Sequence, residues 1–187
     1  MLTATAWDTH VEQLFGRVQQ LHRVLSDAGI PYRVVGGLAV FMHVYERDPI
    51  RARLTADVDA GILREHLPAA IAACEKVGWV HRHVAGVDML VDADRPRARS
   101  AVHLVFLREK VRPEYIEPIP DSPPDATGEG ILLAPVTDLV RMKLTSFRLK
   151  DRVHVQDMDG VGLITAEIEA GLTDVLRARL ADVRATE

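Results

Sequence analysis

The segment from Val34 to Asp59 constrains this chain most. An apolar strand closes on Gly36-Gly37, a short helix opens from that pair, and a second strand brings Asp57-Val58-Asp59. Residues two apart on a strand project to one face, so the two carboxylates lie side by side while Val58, Ala60 and Ile62 take the opposite, packing face. Like charges held this way call for a cation, and an oxygen-only pair suits Mg²⁺ or Mn²⁺ better than zinc. Two surface acids on a solvated strand edge is the plainer reading of the same pair. Glycines lack a Cβ, so a turn made of them can come close to a phosphate and offer it N–H groups, with the helix aiming its positive end at the same anion. A simple strand-to-helix turn also accounts for two adjacent glycines.

A chain of 187 residues, 48% of them hydrophobic, is long enough to bury a core and fits one domain, with residues 30–110 as the sheet core and 131–187 as a helical cap. The formal net charge of −4, with Lys and Arg spread along the chain, argues against broad electrostatic wrapping of a duplex. Cys74 is the single cysteine and cannot form an internal disulfide or a thiolate metal site. The amino terminus lacks the basic-then-apolar order of a signal peptide, and no apolar run approaches the roughly 18 residues of a membrane span. A cytoplasmic protein with no membrane partner is the expectation.

Hydrophobic periodicity predicts a first helix with Val11, Leu14, Phe15, Val18, Leu21 and Leu25 on one stripe, capped by Thr5 or Asp8 and ended by Gly29. Strands are expected over Tyr32–Gly36, Ala56–Leu63, Trp79–Val84, Val87–Val91 and Ser100–Leu107, with helices over Leu38–Tyr45 and Arg64–Val77. The charged stretch from Asp92 to Arg99 reads as a turn, and Pro113–Gly130 as an irregular crossing. Ile131–Leu133 follows, then a helix from Pro135 to Phe147, a polar helix from Lys150, and one or two short helices to Glu187. Strands first and helices last predict an α+β fold with a mixed sheet.

Gly36-Gly37, a spacer, and then Asp57-Val58-Asp59 resemble the signature of the nucleotidyltransferase superfamily with the DNA polymerase β-like fold. More narrowly, Arg53 and Thr55 ahead of the acids, Lys143, and the run Arg148-Leu149-Lys150-Asp151-Arg152-Val153-His154-Val155-Gln156-Asp157 are similar to minimal nucleotidyltransferases related to the AbiEii abortive-infection toxins. The resemblance covers residues 30–160. It implies a nucleotidyltransferase-like mixed sheet flanked by helices, with a C-terminal helical segment. It also implies Mg²⁺ (or Mn²⁺) on Asp57 and Asp59, and a nucleoside triphosphate as substrate. Nucleotide contacts would come from Gly36, Gly37, Arg53, Thr55, Lys143, Arg148 and Lys150, with Asp151 beside them as an orienting acid. The acceptor hydroxyl would belong to RNA, a protein or a small molecule.

One position departs from the pattern. The superfamily supplies a third carboxylate from a later strand, and here that strand reads Ser100-Ala101-Val102-His103-Leu104-Val105-Phe106, with His103 in its place. Histidine can take a proton near neutral pH or ligate a metal, so His103 is the candidate third catalytic residue. A half-buried strand histidine bonded to backbone is the alternative, and Asp88 and Asp92 are nearby acids that would compensate. A salt-bridged surface helix is the bland reading of the basic run. His81 and His83 alternate on a strand without further ligands in sequence, and no P-loop, Gly-x-Gly-x-x-Gly or Gly-x-Ser-x-Gly is present. Two other functions compete: a non-catalytic or regulatory nucleotide-binding module with a degenerate third carboxylate, and a sugar-nucleotide glycosyltransferase using the Asp-x-Asp pair.

Overall fold

The computed structural model describes residues 4–94 and 101–186. Seven strands form one mixed sheet in the order β3-β4-β5-β2-β1-β7-β6. The strands are β1 (Arg33–Val35), β2 (Val58–Ile62), β3 (Trp79–Val84), β4 (Val87–Asp92), β5 (Val102–Phe106), β6 (Asp125–Ala126) and β7 (Leu132–Leu133). The helices are α1 (Ala4–Asp27), α2 (Gly36–Arg47), α3 (Leu67–Glu75), α4 (Val136–Ser146), α5 (Leu149–Gly160), α6 (Ala166–Ala170) and α7 (Asp174–Arg184), with one 3₁₀ turn at Arg64–His66. The mixed sheet flanked by helices and the helix-rich carboxy-terminal end match the architecture expected from the sequence.

The core follows the apolar periodicities. Leu14, Val18, Leu21 and Leu25 of α1 are fully buried, and so are Val58, Ala60 and Ile62, the packing face of β2. Helix α1 already runs at Ala4, so the positions of Thr5 and Asp8 fall inside it rather than at its start; Gly29 ends it at φ +63°, a left-handed value suited to glycine. Tyr32 is buried, and its hydroxyl is satisfied by His22 Nδ1 at 2.7 Å and by the Leu132 backbone N–H. Cys74 is buried on α3, where desolvation pushes its thiol up to about 11 and leaves it an inert packing group. Within the proline-rich crossing, β6 pairs antiparallel with β7, a short edge the sequence pattern did not announce. The expected turn over 95–99, and Ser100 at the head of the predicted strand, lie outside the described residues.

Two registers position the site. Strand β2 pairs antiparallel with β1, setting Val35 opposite Asp59, and parallel with β5, setting Asp59 opposite His103. On the far side β4 pairs Met89 with His103, so the neighbouring Asp88 alternates onto the other face. Above this sheet, α4 and α5 meet at Phe147, which ends α4 in the left-handed region at φ +51° and returns its N–H to the Lys143 carbonyl at 2.9 Å. The guanidinium groups of Arg152 and Arg179 lie 4.2 and 4.8 Å from the Phe147 ring centroid, and Arg179 Nη1 donates to the carbonyls of Leu144 and Thr145. Those contacts satisfy orphan carbonyls at the end of α4 and fix the corner from which α5 departs. Among the described residues, no helix is long and apolar enough to cross a membrane.

Candidate active site

A cleft of about 880 Å³ opens between the sheet and the α4–α5 corner. Gly36, Gly37, Arg53, Thr55, Asp57, Asp59, His103, Lys143, Arg148 and Lys150 all line it. The chain delivers them from four places: the β1–α2 turn, β2 with the loop before it, β5, and the α4–α5 corner.

Gly36 opens α2 at φ +71°, and a Cβ there would collide with the Asp59 carboxylate, whose Cγ would lie only 2.9 Å away. A Cβ on Gly37 would sit 3.1 Å from both Thr55 Oγ1 and His154 Cε1. The glycines therefore make room first for protein side chains: Asp59 over one, Thr55 and His154 over the other. Both residues open helix α2 and line the same cleft, and the first N–H groups of a helix are free to meet an anion.

Asp57 and Asp59 are partly exposed, and neither has a Lys or Arg within ion-pair distance among the described residues. The partner of Asp59 is His103, whose Nδ1 lies 3.3 Å from Oδ1. That hydrogen bond raises the imidazole above its ordinary value; burial opposes it, and the charges of Asp59 and Asp57 reinforce it. Two carboxylates without a protein cation between them, in a cleft, fit a hard divalent ion. Among the described residues, no group of three or more His, Cys, Asp or Glu is arranged to hold a metal ion.

The basic block is not one helical face. Lys143 belongs to α4 and Lys150 to α5, and both reach the cleft because the chain turns at Phe147. Asp151 does not line the cleft; it is fully buried beneath it. Its Oδ1 accepts from Lys143 Nζ at 3.2 Å, while Oδ2 accepts from Arg148 Nε at 2.7 Å, Ser146 Oγ at 2.8 Å and the Arg148 backbone N–H at 3.3 Å. Burial alone would raise this carboxyl, but the hydrogen bonds from Arg148 and Ser146 and the Lys143 charge outweigh it and hold it at about 2. Lys143 is itself almost fully buried; desolvation lowers its ammonium and Asp151 works against that. Asp151 acts on the cleft through the two cations it positions.

Arg53 pairs with Asp157 of α5 at 3.0 Å and ties the loop before the acids to the helix. Asp88 is buried on the opposite face, bonded to His81 Nε2 at 2.8 Å and His83 Nδ1 at 3.0 Å, which removes it as a substitute third acid. His154 is the residue sequence reasoning passed over. A lone histidine in a polar helix carries no signal, and only the fold brings its ring against Gly37.

Two solved structures of the antibiotic-resistance factor ANT(2″)-Ia share this fold. Its solution structure aligns at TM-score 0.53 and 13% identity over 98% of this chain and 96% of that one. A crystal structure in complex with adenylyl-2″-tobramycin aligns at TM-score 0.53 and 13% identity over 88% of this chain and 95% of its own. The Megavirus polyadenylate synthase aligns over 100% of this chain but 36% of its own, at TM-score 0.43 and 8% identity, too distant a likeness to reason from. No protein-family model and no curated protein matches the sequence. The fold is nucleotidyltransferase-like.

Proposed function

We propose that this protein is a metal-dependent nucleotidyltransferase, moving a nucleotidyl group from a nucleoside triphosphate to an acceptor hydroxyl. One observation carries the reading: Asp59 and His103 face each other in register, with Asp57 just ahead of the same strand, in a cleft also lined by a glycine turn and the Lys143, Arg148 and Lys150 cations. Asp57 and Asp59 would hold Mg²⁺ or Mn²⁺, which when bound neutralises the phosphates and polarises the reacting one. Lys143, Arg148 and Lys150 bind the triphosphate, and the Gly36-Gly37 end of α2 offers N–H groups to the same chain. With Asp59 accepting its Nδ1–H, His103 keeps a lone pair on Nε2, which has no hydrogen-bond partner among the described residues and is placed to take the proton of the acceptor hydroxyl.

Arg53, Thr55, Lys143 and the run from Arg148 to Asp157 favour an AbiEii-like subtype, acting in the cytoplasm, with RNA, a protein or a small molecule as acceptor. ANT(2″)-Ia, whose complex contains adenylyl-tobramycin, gives the small hydroxylated acceptor its support. A second reading, a nucleotide-binding module without turnover, rests on the histidine standing where a third carboxylate is expected. The deciding experiment incubates the purified protein with Mg²⁺ or Mn²⁺ and each α-labelled triphosphate, alone and with total RNA. Calorimetry on the Asp57→Asn, Asp59→Asn double variant runs beside it. Loss of metal-dependent triphosphate binding with an unchanged melting profile is expected; parent-like binding by the double variant refutes the site.

A further inference from the structure

His154 follows Lys150 by one turn of α5 and lines the cleft with its ring against Gly37. Its two nitrogens differ. Nδ1 is buried with no hydrogen-bond partner, whereas Nε2 is neither among the buried unsatisfied atoms nor bonded to any described residue. A buried N–H without an acceptor is a rarer and costlier defect than a buried lone pair without a donor. The charges of Lys143, Lys150 and Arg148 also disfavour a protonated ring, with Asp151 working against them. The proton therefore belongs on Nε2. Burial first, and the Lys143 charge next, hold the ring neutral by lowering it to about 4.

From this geometry we propose that His154 donates a neutral hydrogen bond, through Nε2–H, to the phosphate chain held at the Gly36-Gly37 turn. The inference rests on the nucleotidyltransferase reading and adds a ligand-contacting residue to it. A neutral donor does something the lysines do not: it orients one phosphate oxygen without adding charge to a cleft already supplied with cations. Its position is fixed from both sides, by the missing Cβ of Gly37 and by the first turns of α5.

The test uses the full chain and inorganic triphosphate with Mg²⁺, titrated by calorimetry. A glutamine amide reaches the place of Nε2 and an asparagine amide that of Nδ1. His154→Gln is expected to bind within about threefold of the parent, while His154→Asn and His154→Ala weaken roughly tenfold to a hundredfold, the range for a hydrogen bond to a charged group. Should an variant fail to fold, ring ¹⁵N spectra of the parent decide the matter. A neutral Nε2–H tautomer whose Nε2 resonance moves when Mg²⁺–triphosphate is added supports the inference. Parent-like binding by His154→Ala, equal losses in the Gln and Asn variants, or a ring carrying its proton on Nδ1 overturns it alone. A parent that binds no triphosphate overturns the nucleotidyltransferase reading as well.

Discussion

Replacing Asp151 by Asn removes one charge from the centre of the α4–α5 corner and leaves its shape. The carboxyl is held at about 2 against an ordinary 3.8, which corresponds to about 2–3 kcal/mol of stabilisation at neutral pH. The variant also strands Lys143, whose side chain is 7% exposed, without its counter-charge. Breaking a buried pair in this way costs about 3–5 kcal/mol, and Lys143 recovers part of that by releasing its proton, a release that burial already favours. A net loss of about 2–4 kcal/mol follows, or about 5–15 °C in melting temperature for a chain of this length. Because the folded carboxyl titrates below the unfolded one, its contribution is complete above about pH 4 and disappears as the pH falls towards 2. Urea unfolding of parent and variant at neutral pH and at steps down to pH 2 should show a gap that closes over that window. A loss under about 1 kcal/mol at neutral pH, or a gap that stays constant on acidification, would refute the assignment of Asp151 as the electrostatic anchor of the corner.

Gly36→Ala should abolish metal-dependent triphosphate binding and lower the melting temperature, since it demands a Cβ at φ +71° against Asp59; Gly37→Ala, whose neighbours are movable side-chain atoms, should do less in both assays. His103→Ala should remove most turnover while sparing triphosphate affinity, and His103→Asp should keep or raise it; unchanged activity in both variants makes His103 structural. Lys150→Ala should weaken triphosphate binding more than monophosphate binding, by about 1–3 kcal/mol, and equal losses for the two ligands would show it to be surface charge.

Period-two alternation sufficed to place Val58, Ala60 and Ile62 inward and the acids outward, and the spacing of Leu14, Val18, Leu21 and Leu25 sufficed for α1, because burial alone decides those patterns. The resemblance put His103 in the place of the third acid, and the parallel pairing of β5 with β2 sets it opposite Asp59. Contacts between distant segments were harder to read. The resemblance put Asp151 beside the nucleotide contacts as an orienting acid, and it is buried beneath the cleft, where it accepts from Lys143 and Arg148. Glycines were understood as openings for a ligand, whereas tertiary packing fills the space above them with Asp59, Thr55 and His154. Strand β6 is two exposed residues long, below any periodicity.

The cleft is walled on one side by residues 36–59 and on the other by residues 143–154, so any molecule gripping both is a reversible staple across most of the chain. Its stabilisation of the native state grows with ligand concentration and vanishes when either half is displaced, since neither half holds the whole grip. Ligand occupancy then reports on the completeness of folding: the sheet must close in register and the helical corner must dock before the grip exists. Conversely, lesions far out in α7, whose Arg179 secures the end of α4, reach the ligand through the corner they loosen.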